Sequence, residues 1–137
     1  MWMKQHSLQD MQNACIGTLV AHLGIEFLQI GTEKLTARMP VDHRTCQPMG
    51  VLHGGASVAF AETLGGAGAY LSVDEQHYCV GLEINANHIR PVRSGWVTGV
   101  ASPLHRGRST QVWNIDIRNE LEQLVCVSRL TVAVLPR

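Results

Sequence analysis

One stretch limits what this chain can become more than any other: Gln47 to Tyr70, reading Q-P-M-G-V-L-H-G-G-A-S-V-A-F-A-E-T-L-G-G-A-G-A-Y. From Gly54 onward its apolar residues run too continuously for a solvated face, which predicts one helix buried on most sides. That helix carries a single charge, Glu62. A lone carboxylate in apolar surroundings is expensive to desolvate unless a partner or a cleft solvates it, so its presence demands a reason. Glycine at 54, 55, 65, 66 and 68 costs about 1 kcal/mol per position relative to alanine inside a helix. The composition makes sense if another element or a ligand must approach the backbone closely, and if open N–H groups near Gly54 and Gly55 face negative charge.

The rest of the chain has to cover such a helix. At 137 residues it is read as one domain, 1–137, with a single core. With 11 basic against 11 acidic residues there is no overall field to favour nucleic acid or a membrane surface. Cys15, Cys46, Cys79 and Cys126 show no CxxC pairing, so free thiols in a reducing compartment are expected. The amino terminus lacks the apolar segment of a signal peptide, and the cytoplasm follows as the expectation.

Ser7 and Asp10 have the form of a capping box, predicting a short helix over about 8–14. Ile25 to Ile30 and Lys34 to Met39 predict two strands joined by a short turn. Pro40 to Leu52 is read as a loop feeding the helix. After it, 78–90 alternates Val80, Leu82, Ile84 and Ala86 against Gly81, Glu83, Asn85 and Asn87. Trp96 to Leu104, Thr110 to Arg118 and Leu124 to Leu135 supply three more strands, joined through a His105–Ser109 turn and a second turn near Asn119. The fold class is α+β: a curved antiparallel sheet of about six strands, the last four in meander order, wrapped on one long central helix. The last strands are long and apolar, with little charge or proline to protect an edge, so a dimer through sheet edges is expected.

Glu62 is the strongest catalytic candidate, as a general base or as a nucleophile; the alternative is a glutamate that merely reaches solvent at a groove. Ser57 lacks a GxSxG context and no cysteine has a histidine beside it. The Gly54 N–H, at a helix start, suits an oxygen on which charge develops, and Gln47 adds a side-chain donor. Asn85, Asn87 and His88 mark a polar or subunit-facing strand. Arg90, Arg93, His105, Arg106 and Arg108 are read as one basic rim suited to phosphate. The seven histidines have no metal-ligand spacing, so no metal is expected.

Taken together, Q-P-x-G-x-L-H-G-G-x-S-x-x-x-A-E-T-x-G, V-G-L-E-I-N-A-N-H-I-R-P and P-L-H-R-G-R-x-x-Q-V-W resemble the hotdog-fold acyl-CoA thioesterases of the 4-hydroxybenzoyl-CoA type. Within them the likeness is to the bacterial enzymes acting on 1,4-dihydroxy-2-naphthoyl-CoA in menaquinone synthesis, or on the aryl carrier protein of the enterobactin pathway. The likeness spans nearly the whole chain. It implies a hotdog fold, dimers pairing into a tetramer, and hydrolysis of aromatic or related acyl thioesters with no cofactor, coenzyme A being part of the substrate.

The resemblance implies Glu62 as the catalytic carboxylate, Gly54 as oxyanion donor, Gln47 orienting acyl group or water, and His53 supporting the thioester or loop. Glu62 would come from one protomer, and Gln47 and His53 from the other. His88 would line the aryl end, and Gly66, Gly81, Leu82, Arg90, His105, Arg106, Gly107 and Arg108 would contact substrate. One departure stands out: the family's usual serine or threonine one turn after the carboxylate is Gly66 here. Trp2, Phe60, Tyr70 and the Gly65-Gly66-Gly68 series are further candidates for shaping a flat aryl pocket. Three rivals remain at this point: a thioesterase acting mainly on acyl or aryl carrier protein, a hydratase using His53, and a non-catalytic acyl-CoA binding module.

Overall fold

The computed structural model describes residues 2–137. Its elements are α1 (Leu8–Ala14), α2 (Leu19–His22), β1 (Glu26–Ile30), β2 (Leu35–Val41), α3 (Gly54–Leu71), β3 (His77–His88), β4 (Gly95–Arg106), β5 (Thr110–Arg118) and β6 (Leu124–Pro136). The strands form one antiparallel sheet in the order β1-β2-β4-β5-β6-β3, and α3 packs on it, as the hotdog arrangement requires. The Ser7–Asp10 capping box is present in both directions and opens α1 as expected.

Where strand patterns were regular, they translate directly. Gln111, Trp113, Ile115 and Ile117 of β5 are buried while Val112, Asn114 and Asp116 are less so, and Val97, Gly99 and Ala101 of β4 face the core. The differences have local causes. β2 continues through Pro40 and Val41, because β1 stops pairing at Arg38 and the Pro40 carbonyl accepts from Thr45 Oγ1 at 2.8 Å. β4 likewise runs on through His105 and Arg106 past a register shift between Pro103 and His105. In β3 a bulge at Leu82 shifts the phase: Gly81 pairs with Val132 and Glu83 with Thr131. Val80 and Leu82 are therefore exposed, while Cys79, Ile84 and Ala86 pack against the core, and the single alternation expected across 80–86 does not hold.

The expected meander is also corrected. β4, β5 and β6 are consecutive neighbours, but β3 pairs with β6, so the chain crosses the sheet between β3 and β4. The free edges are β1 and β3, and β6 is interior.

α3 is buried on one side rather than on most. Ser57, Phe60, Ala61, Leu64, Gly65, Gly68, Ala69 and Leu71 face the sheet, whereas Glu62 and Tyr70 are exposed and Thr63, Gly66 and Ala67 half-buried. A single sheet covers only one face of a helix. Close packing explains two glycines: a Cβ at Gly65 would stand 2.7 Å from Leu130 Cδ2, and one at Gly68 2.7 Å from the Trp113 ring. Phe60 is fully buried beside Gly99, and Trp2 stacks on Trp113 with centroids 6.2 Å apart. Trp2, Phe60, Gly65 and Gly68 are thus core packing and do not form an aryl pocket.

The amino-terminal segment closes the far end of the helix. Lys4, 3% exposed, sends Nζ to the carbonyls of Val73 (2.6 Å), Asp74 (2.8 Å) and Tyr70 (3.2 Å), and lies 4.4 Å from the Tyr70 ring centroid. A cation at the carbonyl-rich end of a helix is favourably placed. Among the described residues no helix is long and apolar enough to cross a membrane.

Candidate active site

The entrance to α3 is built by the loop before it. The His53 N–H donates to the Thr45 carbonyl (2.8 Å) and the Gln47 N–H to Val51 (2.8 Å), folding the loop back on itself around Gly50, whose φ of +81° suits glycine. The Gln47 side-chain oxygen accepts from the Met49 N–H, which leaves its amide NH2 as the outward donor.

His53 is the N-cap. Its Nδ1 accepts from the Gly55 N–H at 2.8 Å, so the neutral ring carries its proton on Nε2. The N–H groups of Ala56 and Ser57 both go to the His53 carbonyl. One donor in this first turn is left over: among the described residues the Gly54 N–H makes no hydrogen bond. His88, at the end of β3, lies over the same glycine, its Nε2 2.9 Å from where a Gly54 Cβ would be. Glycine there lets the exposed His88 ring lie close over the helix start, and a side chain would push that ring aside.

Glu62 sits two turns further along, exposed, against β3. A Cβ built on Gly81 would be 3.4 Å from Glu62 Oε1, so the carboxylate lies in contact range of the edge strand at this glycine. Glu62 and Gly54 are eight residues apart on one helix, about 12 Å along its axis. Within one protomer they do not converge on a single atom.

Two cavities flank the helix entrance. One, of about 290 Å³, is lined by Gly54, Ser57, His88 and Arg90 together with Leu52 and Val125. The other, of about 270 Å³, is lined by His53, Gly55, Ala56 and Ala59 with Leu19, Leu23 and Cys46. A larger one, about 900 Å³, lies at the opposite end of the helix, among Asp74, His77, Arg106, Gly107 and Arg108. There His77 Nδ1 and Asp74 Oδ1 are 2.7 Å apart, and that contact, with Gln76 and Lys4 adding to it, holds the Asp74 carboxyl below its usual range.

The single basic rim expected from the sequence is not present in one chain. Arg90 Nη1 donates to the Leu124 carbonyl at the start of β6, with Arg93 in the same connection, whereas His105 to Arg108 turn beside Ala133 and Val134 near its end. Nine residues of strand separate the two ends, about 30 Å. The physical reason is the length of β4, whose twelve residues put the turns at its two ends on opposite sides of the sheet.

The remaining nucleophiles do not compete. All four cysteines are free, and burial pushes the thiols of Cys15, Cys79 and Cys126 up. Among the described residues no group of three or more His, Cys, Asp or Glu could hold a metal ion. From the sequence, Ser57 is weighed only as a nucleophile, and His77 and Asp74 are not singled out. Ser57 could have been found from its spacing, three residues after Gly54 on the same helical face.

Residues 49–126 match the thioesterase superfamily. The chain is 48% identical over 134 residues to the 1,4-dihydroxy-2-naphthoyl-CoA hydrolase of Escherichia coli (strain K12), covering 98% of both. It is 48% identical, over the same shares, to the proofreading thioesterase EntH of Cronobacter turicensis. The crystal structure of a Haemophilus influenzae thioesterase superposes with a TM-score of 0.97 at 53% identity, covering 98% of this chain and 94% of that one.

Proposed function

Since this chain belongs to the thioesterase superfamily and is a hotdog-fold acyl-CoA thioester hydrolase, we propose that it hydrolyses aromatic or related acyl-CoA thioesters in an active site completed by a second copy of itself. The observation that carries this reading is the free Gly54 N–H at the mouth of α3. A backbone donor aimed at the carbonyl oxygen of a thioester stabilises the charge that develops there, about 3 to 4 kcal/mol in comparable sites.

The carboxylate has to come from elsewhere, because a protomer's own Glu62 is about 12 Å along the helix. β3 is a free edge with exposed Tyr78, Val80 and Leu82, Leu82 at 60%. Antiparallel pairing of two β3 strands would put the His88 end of one beside the His77 end of the other, and bring the partner's Glu62 across the seam. The same pairing would set Arg90 beside the partner's Arg106 and Arg108, restoring between two chains the phosphate rim that one chain lacks.

In this arrangement the Gly54 amide polarises the carbonyl, and the Gln47 amide orients the acyl group or water. His53 keeps the entrance open by capping Gly55. The partner's Glu62 attacks the carbonyl carbon or takes the proton of an attacking water. Thiolate departs readily, so positioning and oxyanion stabilisation supply most of the rate. The likeness to the naphthoyl-CoA hydrolase and to the carrier-protein proofreader supports an aryl acyl group, and leaves two donors to compare, coenzyme A and a carrier protein.

The test uses mixed dimers. Glu62→Gln and Gln47→Ala protomers, each nearly inactive alone, are co-expressed. Random pairing in a two-fold dimer recovers about a quarter of parental turnover if the site is shared, since each heterodimer then holds one intact site. No recovery, with exchange verified, would refute the shared site. Substantial turnover by Glu62→Ala alone would remove the carboxylate from the mechanism.

A further inference from the structure

The cavity at the mouth of α3 that Gly54 shares with His88 contains a group that the hydrolysis reading leaves unused. Ser57 is 2% exposed, and among the described residues its hydroxyl makes no hydrogen bond. No fully enclosed side-chain oxygen in the described residues lacks a partner. The Ser57 hydroxyl therefore keeps a small opening, and the cavity it lines with Gly54 and His88 is where it opens. A buried hydroxyl without a partner is unfavourable unless something fills the space and bonds to it.

Which part of a thioester fills it follows from the two cavities on either side of Gly54. The one beside His53 is walled by Leu19, Leu23, Ala56 and Ala59, its one arginine, Arg44, being paired with Asp42, and suits an apolar acyl group. The other offers Ser57 and His88, with Arg90 at its rim. In the dimer proposed above Arg90 faces the phosphates of the substrate, so on that reading the limb on this side is the one that leads from sulfur to phosphate. In a pantetheine thioester the first polar group along that limb is an amide, two methylenes beyond the sulfur. A hydroxyl can donate to its carbonyl or accept from its N–H.

We propose that Ser57, with His88 beside it on this limb rather than at the aryl end that the resemblance implied, binds the sulfur-proximal amide of the pantetheine arm and so fixes the thioester against the Gly54 N–H. This deepens the hydrolase reading and rests on it for the position of the carbonyl. The amide is common to coenzyme A and to carrier proteins, so one site would serve both donors.

The test compares two benzoyl thioesters that differ only in this amide, one of N-acetylcysteamine and one of 1-pentanethiol, with the parent and Ser57→Ala. Loss of one buried hydrogen bond lowers the ratio of kcat/KM for the amide thioester over the alkyl one by about tenfold. A ratio that stays within about twofold overturns the proposal, because a merely structural serine would depress both substrates alike. A second arm needs no turnover: pantetheine is titrated into each protein, following the His88 ring by NMR. Ser57→Ala should raise Kd about tenfold, and an unchanged Kd overturns the site. If neither thioester is hydrolysed by the parent, the hydrolase reading falls, while the titration still decides whether Ser57 binds the arm.

Discussion

The Glu62 carboxylate lies against the backbone of Gly81, Oε1 being 3.4 Å from the Cβ position of that residue, at ordinary contact distance. The catalytic candidate on α3 thus packs on the edge strand with room for a methyl and no more. A graded series tests this. Gly81→Ala adds a methyl at ordinary contact distance and leaves turnover close to parental. Gly81→Val drives branched carbons into the carboxylate and lowers kcat by about a hundredfold, the scale of an ångström's misplacement. Steady-state kinetics with one acyl-CoA, beside a thermal melt to show that the fold persists, decides it. Parental kcat in the valine variant would mean that the carboxylate does not need this position.

Gly66 and Gly68 lie two residues apart on one helix and should respond oppositely to the same substitution. A Cβ at Gly66 meets nothing within 4 Å, whereas one at Gly68 strikes the Trp113 ring at 2.7 Å. Gly66→Ala should stabilise by up to about 1 kcal/mol, a rise of a few degrees in Tm. Gly68→Ala should destabilise by about 1 to 3 kcal/mol through overpacking. Denaturant melts measure both.

Gly66 also has a chemical prediction. One turn beyond Glu62, a hydroxyl would face the same side of the helix and could hold the attacking water. Gly66→Ser should therefore raise kcat above that of the parent. Near-parental turnover with no gain would show that the glycine does not limit the reaction.

Lys4 should matter for stability far more than an amino-terminal lysine usually does. Lys4→Met removes three hydrogen bonds to carbonyls at the end of α3. Leaving those acceptors buried costs about 2 to 3 kcal/mol. A urea titration reads this as a lower midpoint with an unchanged slope.

The loop leading into the site carries its own pH dependence. The Arg44 guanidinium and backbone N–H, bonded to Asp42, pull that carboxyl down to about 2. Because the folded value lies below the unfolded one, the pairing stabilises the fold fully above about pH 4 and the effect is lost as pH falls through about 2. Asp42→Asn should lower Tm at pH 7, with the gap to the parent shrinking as pH falls through about 2. A constant gap across that range would show that the carboxylate charge is not what matters.

Much of this arrangement was legible in the residues because it is local. The α3 span, its glycine-rich entrance and the strands with clean alternation are set by periodicity and by backbone preferences acting within a few residues. The Gly54 donor was foreseen on the same grounds, since a helix start always leaves N–H groups over. The bulge at Leu82, the pairing of β3 with β6, and the separation of Arg90 from Arg106 and Arg108 were not, because each depends on how strands of a given length lie against one another.

The sequence by itself determined that a small-residue helix with one carboxylate would sit on a curved antiparallel sheet, because burial pattern and turn chemistry are written residue by residue. Only the tertiary structure decided which side of that helix stays open, that β3 is the edge facing outward, and that His88 and Ser57 meet at Gly54. Those are distances between segments far apart in the chain, which close packing alone sets.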